Sequence, residues 1–241
     1  MNGLPGEIHD LWVYLHATPL FWLTVTLLAY LIGLGLHSVA RLNPLVNPVA
    51  IAVLLLVGLL KITGTDYHDY FSGAQFVHFL LGPATVALAV PLFENIGKVR
   101  QALIPMGIAL VVGSTVAAGS AMGLAALTGA TPEVLLSMAP KSATTPIAMG
   151  ISESIGGLPE LTAVMVILTG VLGAVIVTPL MTLLGIKDMR ARGFAAGVAA
   201  HGLGTARAFQ VDPLAGTFAG IGMGMNGLMT TLVVAVLVGF F

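Results

Sequence analysis

Six long intervals of this chain contain no Asp, Glu, Lys or Arg, and each is long enough to cross a lipid bilayer as a helix. One helical crossing needs about 20 mainly apolar residues. The intervals are residues 11–40, 42–60, 70–93, 101–132, 161–186 and 213–241. Only 8% of the 241 residues are charged, against about 25% in an ordinary soluble domain. The sequence therefore predicts an all-α polytopic membrane protein with about six full transmembrane helices.

The same composition argues against other classes of protein. A formal net charge of -1 provides no basic surface for nucleic acid, and the apolar runs lack the alternation of a transmembrane β-barrel. The chain has no cysteine, which excludes a thiol nucleophile and a Cys metal site. No phosphate loop, nucleophile elbow or metalloprotease motif occurs. We therefore expect no enzyme activity, catalytic residue, cofactor or metal site.

Three segments carry signals that interrupt a helix. Proline removes a backbone hydrogen bond, and glycine weakens the helix around it. We expect the third hydrophobic segment to break at Gly82 and Pro83, and residues 133–157 and 188–212 to form two broken or re-entrant helical hairpins. The expected breaks in these two segments are Pro140, Pro146, Gly202 and Gly204. The similar placement of Pro83 and Pro140 suggests an internal inverted repeat, as in many transporters.

Charge placement favours the re-entrant interpretation. If the N-terminus is outside and both broken segments re-enter, six cations face the cytoplasm: Arg41, Lys98, Arg100, Lys187, Arg190 and Arg192. If residues 133–157 cross the membrane instead, this bias disappears.

Two cations, Lys141 and Arg207, lie in or beside the broken segments. A charge at membrane depth costs at least about 2.5 to 3.5 kcal/mol on insertion scales, so it indicates function. Broken helices expose backbone N–H groups that favour anions. We expect substrate-binding groups at Lys141, Ser142, Thr144, Thr145, Thr205 and Arg207. The alternative is that Lys141 pairs with Glu153 or reaches the interface, and that Arg207 pairs with Asp212.

His201 and Glu153 are the candidates for proton coupling. A histidine with a pKa near 6.5 can exchange a proton at physiological pH. His201 could equally be a buried histidine that satisfies freed backbone carbonyls, and Glu153 could be an ordinary charge at the end of a hairpin. Both alternatives remain open from the sequence.

Three blocks of sequence resemble the LrgB/CidB family of membrane proteins. They are residues 140–148 (PKSATTPIA), 152–157 (SESIGG) and 200–207 (AHGLGTAR), with supporting similarity at residues 81–88 and 193–195. The resemblance covers most of the chain and weakens over residues 1–42, which include the first span. It implies one LrgB-like transmembrane domain over residues 1–241, in a bacterial cytoplasmic (inner) membrane.

The resemblance implies two competing functions. Bacterial members are described as holin-like or antiholin-like proteins that influence murein hydrolase activity and autolysis, beside a small LrgA/CidA-like membrane partner. Plastid relatives resemble glycolate/glycerate translocators, and some bacterial pairs are linked to pyruvate. Buried cations and broken helices favour the second function, a carrier with alternating access for glycolate, glycerate, lactate or pyruvate. The expected partners are thus a small organic anion, the lipid bilayer, an LrgA/CidA-like protein and a second copy in a dimer.

Overall fold

The computed structural model describes residues 19–80, 83, 86–87 and 89–239, and no strand occurs among them. The helices are α1 (Pro19–Val39), α2 (Pro48–Thr63), α3 (Tyr67–Phe79), α4 (Ala89–Glu94), α5 (Ile96–Leu127), α6 (Pro132–Met138), α7 (Thr145–Ser154), α8 (Pro159–Leu183), α9 (Met189–Val211) and α10 (Pro213–Val238). The all-α prediction is confirmed for this part of the chain.

Four of these helices, α1, α5, α8 and α10, are long and apolar enough to cross a membrane. Helix α2 has 16 residues, fewer than the roughly 20 of a full crossing. The third predicted span corresponds to α3 and α4. The count of six spans is therefore not confirmed.

The break predicted in the third segment falls on residues that are only partly described. Helix α3 ends at Phe79, and Pro83 is helical. Gly82 lies outside the described residues. The break there, and the inverted repeat inferred from Pro83 and Pro140, stay predictions.

The chain divides after Ala87 into two compact units. In the first unit, α1 and α2 pack through Ala29 and Leu56. Trp22 of α1 is fully buried, and its ring contacts Tyr70 of α3 edge to face at 5.8 Å. These contacts join α1, α2 and α3.

In the second unit, the candidate spans are α5, α8 and α10. Glycine allows α9 and α10 to approach closely, since a Cβ at Gly193 or Gly197 would overlap the carbonyl oxygen of Ala215 or Ala219. Small residues four positions apart are typical of tight helix packing in membranes. Phe218 of α10 is fully buried in the same region.

Candidate functional site

The segment between α5 and α8 is a helical hairpin. Helices α6 and α7 flank residues 139–144. The Leu158 N–H donates to Ser137 Oγ (2.7 Å), and Thr162 Oγ1 donates to the Ser137 carbonyl oxygen (2.9 Å). These bonds bring the end of the segment back beside its first helix. Residues 132–154, hereafter the first hairpin, therefore fold back on themselves, and their re-entry into the membrane stays a prediction.

Two prolines shape the first hairpin in different ways. Pro140 is fully buried in the turn between the two helices. Pro146 lies in the first turn of α7, where its fixed φ and missing N–H suit a helix start. The predicted break at Pro146 is thus the beginning of a helix rather than an interruption within one.

Helix α9 also reverses direction, and residues 189–211 form the second hairpin. The backbone leaves the helical region at Ala200 (φ -133°, ψ 19°) and His201 (φ 42°, ψ -130°). The arm before this break runs parallel to α10, as shown by the Gly193 and Gly197 contacts above. The arm after it runs antiparallel, since Thr205 contacts Met223 and Phe209 packs on Gly216.

The turn of the second hairpin lies one residue earlier than the sequence predicts. Gly202 and Gly204 were the expected break, but the non-helical residues are Ala200 and His201. A Cβ at Gly204 would overlap the Ala196 carbonyl oxygen. Gly204 therefore permits the two arms to approach, whereas the turn itself is formed by a strained histidine at positive φ.

The tips of the two hairpins both contact α8 at Val166. Thr162, near the start of α8, contacts the base of the first hairpin, and Val166 packs against Ala143 in its tip. The carbonyl oxygen of Val166 bonds to His201 Nε2 at 2.8 Å. Near the end of α8, Arg192 of the second hairpin donates to the Thr178 carbonyl oxygen. The hairpins thus approach from opposite ends of α8.

This junction lies near the middle of a full-length helix. Asn226 of α10 donates through Nδ2 to the Ser142 carbonyl oxygen in the first tip (3.0 Å). At 1.5 Å per residue, Asn226 is about 20 Å from the start of α10 and about 18 Å from its end. Discontinuous helices that meet at this depth are typical of binding sites in secondary transporters.

Buried hydrogen bonds hold the first tip in place. Ser114 Oγ of α5 donates to Asn226 Oδ1 at 2.6 Å, and Asn226 in turn bonds to Ser142 as described. All three residues are almost completely buried. The sequence shows Asn226 as an isolated amide among glycines and Ser114 as one of several small residues. The residues around Asn226 and Ser114 in the sequence give no signal that the two side chains pair.

Lys141 is half-buried at this tip. The one ion pair among the described residues joins Arg190 to Asp188 at 2.7 Å. The alternative pairing of Lys141 with Glu153 is therefore not formed, and Glu153 is exposed at the end of α7. The structure places this cation at the junction and Glu153 at the base of the hairpin.

The predicted hydroxyl groups differ in their surroundings. Ser142 is buried beside Asn226, and Thr144 and Thr145 are half-buried where α7 begins. Thr205 is buried in the second hairpin, and its Oγ1 donates to the His201 carbonyl oxygen at 2.8 Å. Thr205 thus satisfies a backbone group that the break releases.

Arg207 and His201 both bond to other residues of the protein. Arg207 is half-buried in the second arm of the second hairpin and donates to Gln210 Oε1 at 3.2 Å. Asp212 caps α10 by accepting hydrogen bonds from the Leu214 and Ala215 N–H groups. The His201 bond to α8 agrees with its alternative interpretation as a buried histidine that satisfies a carbonyl.

Comparison with known proteins supplies the family. The model of the LrgB-like family matches residues 26–240. The chain belongs to the LrgB-like family. This membership and the four apolar helices identify it as an integral membrane protein.

Two relatives match the chain over nearly their whole length. It is 35% identical to the uncharacterized protein YwbG of Bacillus subtilis (strain 168), over 88% of this chain and 96% of that protein. It is 32% identical to the antiholin-like protein LrgB of Bacillus mycoides (strain KBAB4), over 92% of this chain and 97% of that protein. No solved structure matches the chain.

Proposed function

We propose that this LrgB-family protein is antiholin-like and restrains autolysis from the bacterial cytoplasmic membrane. The observation that carries this proposal is the 32% identity to an antiholin-like LrgB over 97% of that relative's length. These names support the holin or antiholin alternative better than a carrier for a specific monocarboxylate.

The test is the timing of lysis in a bacterial host that carries an inducible holin. We expect co-expression of the protein to delay lysis and to lower murein hydrolase activity on zymograms. The matched control is Gly197→Leu at equal expression, because a larger side chain collides with α10 and should abolish the delay. Unchanged lysis with the wild-type protein contradicts the proposal.

A second candidate is a carrier for small monocarboxylates such as glycolate, glycerate, lactate or pyruvate. The specific observation in its favour is Lys141, a half-buried cation where the tips of two opposed hairpins meet. A carboxylate there would meet the ammonium group, the hydroxyls of Thr144 and Thr145, and the first N–H groups of α7. Movement of the hairpins against α8 and α10 would supply alternating access.

The carrier is tested by thermal stabilisation of the purified protein with each of the four acids. A ligand that binds only the folded state raises stability by about 2.7 kcal/mol at 100 times its Kd. We expect Lys141→Ala to lose this shift and Lys61→Ala, at an exposed cation, to retain it. Saturable uptake and counterflow in proteoliposomes should change in parallel. Absence of a shift with any acid at millimolar concentration contradicts the carrier.

The two candidates make opposite predictions for one variant. Lys141→Ala should still delay lysis if the function is antiholin-like, since the tip is held by Asn226. It should lose transport if the function is a carrier. Both candidates are non-enzymatic, and both are compatible with a dimer or a small LrgA/CidA-like partner, which copurification would detect.

A further inference from the structure

A groove of about 500 Å³ lies between α5 and the first arm of the second hairpin. Its walls are apolar and include Ala109, Met106 and Phe194, whereas its polar end is formed by Gln101, Asp188 and Arg190. This volume is in the range of about 300 to 1,000 Å³ that is usual for small-molecule sites. None of the residues that line it belongs to the junction of the hairpin tips.

The groove is long enough to cover at least one leaflet of a bilayer. Its lining extends from Asp188 to Ala199 along the second hairpin and from Gln101 to Ala117 along α5, which are about 17 Å and 24 Å of helix. Half of the hydrocarbon core of a bilayer is about 15 Å thick. The polar end therefore lies at headgroup level when the far end, beside the hairpin tip, lies near the centre of the membrane.

The polar end of the groove carries an excess of positive charge. The N-termini of α5 and α9 are both at this end, because Gln101 and Arg190 line it together. The cations on these two termini are Lys98, Arg100, Lys187, Arg190 and Arg192, against the carboxylates Glu94 and Asp188. Arg190 is paired with Asp188, and Arg192 faces α8. A basic end of this kind attracts an anionic headgroup.

We propose that the groove binds one anionic phospholipid, with an acyl chain along its apolar walls and the phosphate beside Arg190. The slender shape of an acyl chain suits a groove that is long, apolar and only about 500 Å³ in volume. A polypeptide helix is about 10–12 Å across with its side chains, so only its side chains could enter. A protein partner is accordingly the less suitable occupant.

The first test is native mass spectrometry of the detergent-purified protein with phosphatidylglycerol or phosphatidylcholine of equal chain length. We expect one retained phosphatidylglycerol per chain and weaker retention of phosphatidylcholine. Arg190→Gln should reduce phosphatidylglycerol retention about fivefold, from the usual contribution of one cation at a membrane surface. The control Lys61→Gln removes an exposed cation in the first unit and should change nothing.

A second pair of variants tests where the acyl chain lies. Ala109 and Ala126 are both exposed alanines of α5, but only Ala109 lines the groove. Ala109→Phe should abolish the bound lipid, and Ala126→Phe should leave it intact. Thermal unfolding verifies that both variants fold, and Ala191→Phe replaces Ala109→Phe if that variant does not. Equal retention of the two lipids, or equal loss in the two phenylalanine variants, overturns the proposal.

Photocrosslinking in native membranes identifies the occupant directly. A photoreactive amino acid replaces Ala109 in one sample and Ala126 in the other. An adduct of phospholipid mass that forms only at position 109 supports the proposal, whereas an adduct of polypeptide mass at that position overturns it. This readout involves neither lysis nor transport, so its failure is distinct from failure of the proposed function.

Discussion

The bonds that join α5, α10 and the first hairpin should contribute measurably to stability. Asn226→Ala removes two hydrogen bonds, one from Ser114 Oγ (2.6 Å) and one to the Ser142 carbonyl oxygen (3.0 Å). Side-chain hydrogen bonds in membranes contribute about 0.6 kcal/mol on average and up to about 1.7 kcal/mol. We therefore expect Asn226→Ala to lower the free energy of unfolding by about 1 to 3 kcal/mol.

Ser114→Ala tests the same network from the other side. It removes one of the two bonds, so we expect a loss of about 0.6 to 1.7 kcal/mol. The matched control is Ser120→Ala on the same helix, because Ser120 is exposed and its loss should change stability by less than about 0.5 kcal/mol. Reversible unfolding of the detergent-solubilised protein in SDS measures all three variants.

A double-mutant cycle decides whether Ser114 and Asn226 interact. If the bond exists, the double variant should be more stable than the sum of the two single losses implies, by about the value of one bond. Strict additivity, or a Ser114→Ala loss no larger than that of Ser120→Ala, would refute the reasoning.

Three further predictions follow from the second hairpin. Gly197→Ala should lower the unfolding free energy by about 1 to 3 kcal/mol, because the new Cβ meets a carbonyl oxygen of α10. The control Gly119→Ala faces open space and should be neutral or stabilising. Equal effects of the two substitutions would contradict the close approach of α9 and α10. His201→Gly should be about 1 to 3 kcal/mol more stable than His201→Ala, since glycine adopts the positive φ of position 201 without strain. The reverse order of stability in SDS unfolding would exclude the strained turn. The Arg190 side-chain hydrogen bond holds the pKa of Asp188 below its usual value. The difference in unfolding free energy between wild type and Asp188→Asn should therefore be largest above about pH 4 and should decrease as the pH falls further. A difference that grows on acidification would contradict this pairing.

Local sequence patterns were sufficient to predict the long helices and the two interrupted segments. Uncharged runs predict α5, α8 and α10 because the bilayer excludes charge over a known thickness. Pro140 and the glycines after His201 indicate interruption because each disturbs backbone hydrogen bonding or packing. These effects act within one segment, so they need no knowledge of neighbouring helices.

The junction itself could not be predicted, because it depends on contacts between distant segments. The bond of His201 to Val166 joins residues 35 positions apart, and that of Asn226 to Ser142 joins residues 84 positions apart. Two residues that the sequence assigns to the same candidate site also need not lie close together. Lys141 lies at the tip of one hairpin, while Arg207 lies in an arm of the other and bonds to Gln210.

The central structural claim is that the tips of both hairpins contact α8 at Val166. The chain has no native cysteine, so pairs of cysteines can be introduced without background and treated with a short thiol crosslinker in native membranes. We predict that Val166→Cys crosslinks with Ala143→Cys of the first tip and with His201→Cys of the second tip. Ala143→Cys with Ala174→Cys should not react, because position 174 is about 12 Å further along α8. Reaction of Ala143→Cys with Ala174→Cys but not with Val166→Cys, or no reaction of His201→Cys with Val166→Cys, would contradict the contact of both tips with α8.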